Sequence, residues 1–301
     1  MKVTIIGGAG GVGSSVAFNL LRSAEPFEVV VVDRKQHMVT SHVMDLQDVV
    51  ALGGARAVRA GTPADALDSD VVVMAAGVPT TPNTDRRVFF ERNSEIVAEA
   101  VDPLAASGWQ GVLVVMTNPV DAHVTRLVRR GLLPRERVLG YTINDSLRMR
   151  TGVARALDVP PQSVSAWVLG EHGSGQVPLW DRITVDGSPV ALDDEQREAV
   201  SEYMDTWYVK HVALDSGRAS TWSSGWGGAL LVEAIAKGSD HPLPASVYLD
   251  GEYGVSGAAV GVPVLAGPQG VRSVLEWPLS AEQRGSLATA AEEIRVLADS
   301  D

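Results

Sequence analysis

An α/β fold, a doubly wound parallel sheet followed by an α+β unit, is what this sequence predicts. Three observations carry it. First, the runs Val3-Thr4-Ile5-Ile6, Val29 to Val32, Val71 to Met74 and Val112 to Met116 are short, β-branched and almost entirely apolar. Strands buried on both faces by helices have that character. Second, helical patterns separate these runs, as in Asp85 to Ala106, which predicts Val88, Phe89, Ile96, Val97, Ala100, Val101 and Leu104 on one side. Strands alternating with such helices build βαβ units and a parallel sheet. Third, the pattern changes after residue 143 to shorter, mixed strands and longer helices. The predicted division is therefore 1–143 and 144–301, without a flexible linker.

The second half opens with a helix from about Asp145 to Leu157, stopped by Pro160-Pro161. Ile183-Thr184-Val185 followed by Asp186-Gly187 predicts a hairpin. Helices are expected at roughly Asp193 to Ala213 and near Ala229 to Ala236. The last one begins at Ser280-x-x-Gln283, a capping box, with Leu287, Ile294 and Leu297 on one stripe. Gly254 to Val271 carries no charge, but Pro263, Pro268 and its glycines read as loop and strand rather than a membrane span. No repeat or low-complexity segment is present.

Charge and composition narrow the function. The 301 residues carry 25 Lys plus Arg against 37 Asp plus Glu, a formal charge of -12. Nucleic acid and anionic membrane surfaces call for basic patches, so neither is the expected partner. The absence of cysteine removes disulfides, thiolate metal sites and cysteine nucleophiles. The apolar run after Met1-Lys2 is too short for a signal peptide, and the expected location is the cytoplasm.

The first strand runs straight into Gly7-Gly8-Ala9-Gly10-Gly11-Val12-Gly13. Gly8, Gly10 and Gly13 satisfy G-x-G-x-x-G, and Gly7, Gly10 and Gly13 the looser G-x-x-G-x-x-G. A strand before, a helix after and Asp33 closing the next strand make this a dinucleotide-binding turn. A carboxylate at Asp33 accepts ribose hydroxyls and repels a 2′-phosphate, so NAD is the expected cofactor. No Tyr-x-x-x-Lys pair and no Gly-Lys-Ser/Thr loop is present. The candidates left for chemistry are His172, in Gly170-Glu171-His172-Gly173, and Asp145 with Arg148, three apart on one helical face. Thr117-Asn118-Pro119-Val120-Asp121 joins them at a strand end, with Arg86 and Arg87 after Ala76-Gly77-Val78-Pro79.

In this order these segments resemble the malate/lactate dehydrogenase family over essentially the whole chain. Met44-Asp45-Leu46-Gln47, Leu243-Pro244-Ala245-Ser246-Val247 and Gly261-Val262-Pro263-Val264 add to the likeness. The resemblance implies reversible NAD-linked oxidation of a small anionic 2-hydroxy acid to its 2-oxo acid. It implies His172 as proton acceptor, Asp145 as the carboxylate orienting it, and Arg148 as the grip on the substrate carboxylate. Arg86 is implied to polarise the carbonyl, and Asn118 to bond both substrate and cofactor ribose. Asn93 and Met116 are implied as further cofactor contacts, beside Gly7, Gly8, Gly10, Gly13 and Asp33. No metal is implied, and the expected assembly is a homodimer or homotetramer.

Some positions depart from the family pattern. The specificity position falls on Thr80, where malate enzymes usually carry arginine and lactate enzymes glutamine. Asn144 replaces a leucine, Ser220 is the small hydroxyl residue of the substrate pocket, and Ser224 stands where an apolar side chain is usual. Whole-chain resemblance favours malate and oxaloacetate. Lactate or a bulkier monocarboxylate is the alternative within the class, and a non-catalytic NAD-binding sensor the alternative outside it.

Overall fold

The computed structural model describes residues 1–53, 57–78 and 86–300, Arg86 by its backbone alone. The first half runs β1 (Lys2–Ile6), α1 (Gly11–Arg22), β2 (Glu28–Val32), α2 (Gln36–Gly53), β3 (Ala57–Ala60), β4 (Val71–Met74), α3 (Arg86–Ala106), β5 (Val112–Val115), α4 (Val120–Arg129) and β6 (Val138–Tyr141). The second continues with α5 (Ile143–Leu157), β7 (Val164–Ser165), β8 (Val168–Gly170), β9 (Gln176–Pro178), β10 (Thr184–Val185), β11 (Ser188–Pro189), α6 (Asp194–Ala213) and α7 (Thr221–Lys237). β12 (Leu243–Asp250), β13 (Ser256–Gly267), β14 (Gly270–Val274) and α8 (Ala281–Ala298) close the chain.

The apolar runs do become central parallel strands. Strand order is β3-β2-β1-β4-β5-β6, all parallel, with Ile5 level with both Val31 and Val73. Val71 to Met74 and Val112 to Val115 are fully buried, which is why no polar residue alternates along them. The sheet then turns antiparallel. β6 pairs with β12 through Tyr141 and Ala245, and β13, β8 and β9 follow, with β14 on β13. The chain winds from β1 to β2 and β3 on one side, then crosses back to β4 on the other side of β1. The carboxyl ends of β1 and β4 thus frame the crevice where open α/β sheets take their ligands.

Local signals account for several boundaries. Ser280 and Gln283 cap α8 reciprocally, each side chain bonding the other's backbone N–H. Asp186 and Gly187 turn the β10–β11 hairpin with φ of 49° and 78°, the left-handed pair that such a tight turn needs.

Three expectations need correction. Val88 is 41% exposed, whereas Phe89 is buried as expected and Phe90, not expected, is buried more fully, in line with Asn93, Val97, Val101 and Leu104. The stripe is therefore set by the 3.6-residue period counted from Phe90. β5 ends at Val115, one residue before Met116. α7 begins at Thr221 rather than near Ala229, because its glycines are packing surfaces instead of breaks. A Cβ at Gly225 would lie 1.9 Å from Ser15 Oγ, at Gly227 2.4 Å from Tyr141 Oη, and at Gly228 2.9 Å from Met116 Sδ. Close backbone approach to α1 and β6 outweighs the helix propensity lost at glycine, roughly 1 kcal/mol each. Among the described residues no helix is long and apolar enough to cross a membrane.

Candidate active site

The glycine turn, Asp33, Ala76-Gly77-Val78, Thr117-Asn118 and the start of α5 follow the carboxyl ends of the parallel strands, and His172 follows β8 in the antiparallel part of the sheet. After β1 the chain turns at Gly7, whose φ of 89° is left-handed and whose missing Cβ would sit 2.3 Å from Ala76 N. No other residue fits there. A Cβ at Gly13 would meet Gly7 O at 2.4 Å, and one at Gly8 would meet Val31 Cγ1 at 2.5 Å. Gly10 is the residue before α1, and no side chain caps it. The first N–H groups of α1 are thus left for an anion at the helix's positive end. Asp33 follows β2 and arches over this turn: Oδ2 accepts Ala9 N–H at 3.1 Å and Oδ1 accepts Lys35 N–H at 3.0 Å. The tight backbone, the uncapped helix and the carboxylate beside them fit the pyrophosphate and ribose of NAD.

The loops after β4 and β5 are tied together by Asn93. This residue is 1% exposed, and its Oδ1 accepts Val78 N–H while Nδ2 donates to Asn118 O, both at 2.8 Å. Its amide is engaged by backbone on both sides, so it shapes the loops on either side of the crevice. Asn118-Pro119 is a cis peptide bond. Thr117 Oγ1 donates to Ala76 O at 2.7 Å, a second tie between the same loops. Met116 packs against Gly228 of α7.

α5 leaves β6 and carries Asp145 in its first turn, where the helix dipole favours a negative charge. His172 follows β8, which is held to α5 by Val168 N–H donating to Ser146 Oγ at 3.1 Å. His172 Nδ1 and Asp145 Oδ2 lie 2.7 Å apart, the ring N–H donating to the carboxylate. Asp145 Oδ1 accepts Gln176 Nε2–H at 3.0 Å and faces Arg148 Nη1 at 3.8 Å. Burial works against a charged imidazole at His172. The Asp145 carboxylate, its hydrogen bond and Asp121 outweigh that and hold the pKa above the ordinary histidine value. Arg148 is itself largely buried, which pulls its pKa down while Asp145 opposes the change. Its guanidinium lies over the Trp207 ring, 4.2 Å from the centroid.

Beside this pair is a polar wall. Tyr141 Oη donates to Asn144 Oδ1 at 2.9 Å, and Asn144 Nδ2 donates to Ser224 Oγ at 2.8 Å and Ser220 Oγ at 3.4 Å. Burial first, and the Asp145 charge second, push the Tyr141 phenol well above its usual value, which keeps it a donor. Thr80 and the Arg86 side chain lie outside the described residues. Among the described residues no group of three or more His, Asp or Glu side chains could hold a metal ion.

Sequence reading missed Gln176, Trp207 and the role of Asp121 beside His172. Gln176 lies just past the Gly170–Gly173 motif and Trp207 stands in no motif. Asp121 was quoted within its motif but pairs with a residue 51 positions away.

Comparison with known proteins agrees with the geometry. Residues 1–140 match the lactate/malate dehydrogenase NAD binding domain, and residues 142–297 match the lactate/malate dehydrogenase alpha/beta C-terminal domain. The chain belongs to the lactate/malate dehydrogenase family. L-lactate dehydrogenase of Lactobacillus delbrueckii subsp. bulgaricus is 36% identical, covering 99% of this chain and 98% of the relative. Malate dehydrogenase of Halobacterium salinarum is 35% identical, covering 97% of each. Among solved structures, the ligands-bound minor L-lactate dehydrogenase of Enterococcus mundtii superposes with a TM-score of 0.90 at 30% identity. Malate dehydrogenase of Salinibacter ruber does so with a TM-score of 0.90 at 33% identity. Both superpositions cover 99% of this chain and 97% of the other. This lactate/malate dehydrogenase family member is an NAD-dependent oxidoreductase acting on the CH–OH group of a 2-hydroxy acid.

Proposed function

We propose that the enzyme interconverts malate and oxaloacetate, with His172 as the proton carrier. The observation that carries the chemistry is the 2.7 Å contact between His172 Nδ1 and Asp145 Oδ2, with Arg148 beside the same carboxylate. Asp145 occupies Nδ1, so Nε2 is the nitrogen that meets substrate. NAD, when bound, supplies the hydride acceptor at its nicotinamide. In the oxidative direction His172 Nε2 takes the hydroxyl proton as the hydride leaves C2, and Asp145 stabilises the imidazolium that results. Arg148, its planar fork backed by Trp207, grips the C1 carboxylate with two parallel hydrogen bonds. Asn118 and Arg86 bind and polarise the reacting oxygen in this reading. Asn93 and Met116 support the cofactor side, with Gly7, Gly8, Gly10, Gly13 and Asp33 around its phosphates and ribose. Residues 1–143 form the cofactor-binding unit and residues 144–301 the substrate unit.

Preference for a dicarboxylate draws support from the Gly7, Gly10, Gly13 spacing and Val78-Pro79, while the wall of Asn144, Ser220 and Ser224 is hydrogen-bonded within itself and favours neither class. Thr80 pulls the other way, because burying an unpaired second carboxylate costs several kcal/mol and threonine offers one hydroxyl. The Thr80→Arg variant separates the two substrate classes. On the malate reading another group already meets the second carboxylate, and kcat/KM for oxaloacetate changes by less than about tenfold, or about 1.4 kcal/mol. A gain of one to three orders of magnitude would instead mark a monocarboxylate as the native substrate.

A homodimer or homotetramer is the assembly this reading carries. On α7, Trp222, Trp226 and Leu230 recur every fourth residue and are 71%, 65% and 40% exposed, and on α1 Phe18 is 40% exposed. Two exposed tryptophans on one stripe support contact with a second copy of the chain. The cytoplasm is the location proposed with it.

A further inference from the structure

The first turn of α4 carries a carboxyl group that reaches into the other half of the chain. Asp121 is 2% exposed, and its Oδ2 accepts the backbone N–H of His172 at 2.7 Å. Its Oδ1 is buried without a well-formed hydrogen bond, as is the hydroxyl of Ser246 on β12 beside it. Such a group is costly to bury unless its charge is matched nearby. The match available is the imidazole. His172 therefore sits against two carboxyl groups, Asp145 at ring Nδ1 and Asp121 at its backbone.

We propose that Asp121 acts as a second carboxylate on His172, holding its backbone in place and keeping its imidazole protonated to higher pH. The inference rests on the reading of His172 as proton carrier. Asp121 touches neither ring nitrogen and is a positioning residue. From α5, Asp145 favours the imidazolium and Arg148 opposes it. From the turn after β8, Glu171 Oε2 accepts Gly175 N–H at 2.9 Å. Burial raises the pKa of Asp121 itself, while the Ser246 hydroxyl, the His172 charge and the His172 N–H oppose the rise. Imidazolium and carboxylate thus each favour the other's ionised form, and their titrations are coupled.

The coupling has a consequence for direction. In reduction, the Nε2 proton of His172 passes to the oxygen of the 2-oxo group as hydride arrives at its carbon. The ring is left neutral between two carboxyl groups and regains a proton from solvent. A second carboxylate favours the protonated form of the resting enzyme and keeps reduction active at higher pH.

Asp121→Asn tests this, since asparagine retains an acceptor for the His172 N–H but removes the charge. Reductive kcat/KM falls as pH rises through the histidine's titration, and losing a negative neighbour lowers that midpoint. The expected result is a midpoint displaced downward by about one pH unit, with KM for NADH unchanged. A uniformly lower rate with an unmoved midpoint would overturn the proposal and leave Asp121 a purely structural role. If the variant fails to fold, the unaltered protein labelled with carboxyl-13C aspartate answers the question by NMR. The Asp121 carboxyl carbon should shift across the pH range in which the His172 ring titrates. A carboxyl signal constant through that range would overturn it. Failure of the underlying reading looks different: His172→Ala would then retain turnover.

Discussion

Replacing His172 with alanine lowers kcat by roughly 10²–10⁴-fold, the range lost with a positioned acid–base group. The direction follows from the site's construction. Asp145 fixes the ring through Nδ1 and raises its proton affinity, so a neutral methyl leaves the substrate oxygen with water as its only proton source. NAD affinity should stay nearly constant, because the glycine turn and Asp33 lie on other loops. Stopped-flow turnover and NAD titration of the same preparation check both halves. Near-normal turnover would remove His172 from the mechanism.

The second large effect is expected at Arg148. Arg148→Leu should cut kcat/KM by roughly 10²–10³-fold, since truncating one partner of a buried charge pair costs about 2–5 kcal/mol. The loss should be mainly in KM, because the guanidinium holds the carboxylate before and after hydride transfer alike. A pH effect comes with it. Arg148 disfavours the imidazolium, so its removal raises the His172 pKa and moves the fall of reductive kcat/KM to higher pH. That is opposite in sign to the shift expected for Asp121→Asn. Arg148→Lys keeps the charge but neither the fork nor the flat face that lies on Trp207, and should recover only part of the loss. Equal KM values in wild type and Arg148→Leu, measured by initial rates over a substrate series, would place the substrate carboxylate elsewhere.

What could be read from the sequence was what local chemistry writes locally. The turn at Gly7 to Gly13, the runs at Val29 and Val71, and the Ser280–Gln283 cap each state their structure within a few residues. Gly225, Gly227 and Gly228 misled because helix propensity is local, whereas their reason is not: they meet Ser15, Tyr141 and Met116. The same holds at the site. His172, Asp145 and Arg148 stand in short motifs and were legible through resemblance. Asp121 meets His172 only because β5, β6, β12, β13 and β8 lie side by side, which sets α4's first turn against the end of β8. Trp207 lies under Arg148 only through the packing of α6 on α5. Asn93 was read through resemblance as a cofactor contact, and its bonds to the Val78 and Asn118 backbone, on loops after two different strands, had no local sign.

The central claim is that this chain reduces a 2-oxo acid with NADH, oxaloacetate foremost. The most direct measurement is the loss of absorbance at the reduced-nicotinamide band when the purified protein meets NADH with oxaloacetate, pyruvate or branched 2-oxo acids in turn. Turnover with oxaloacetate is expected at the highest kcat/KM of the panel. Faster turnover of pyruvate or a branched acid would contradict the substrate, and tight NADH binding with no turnover of any of them would contradict the enzyme.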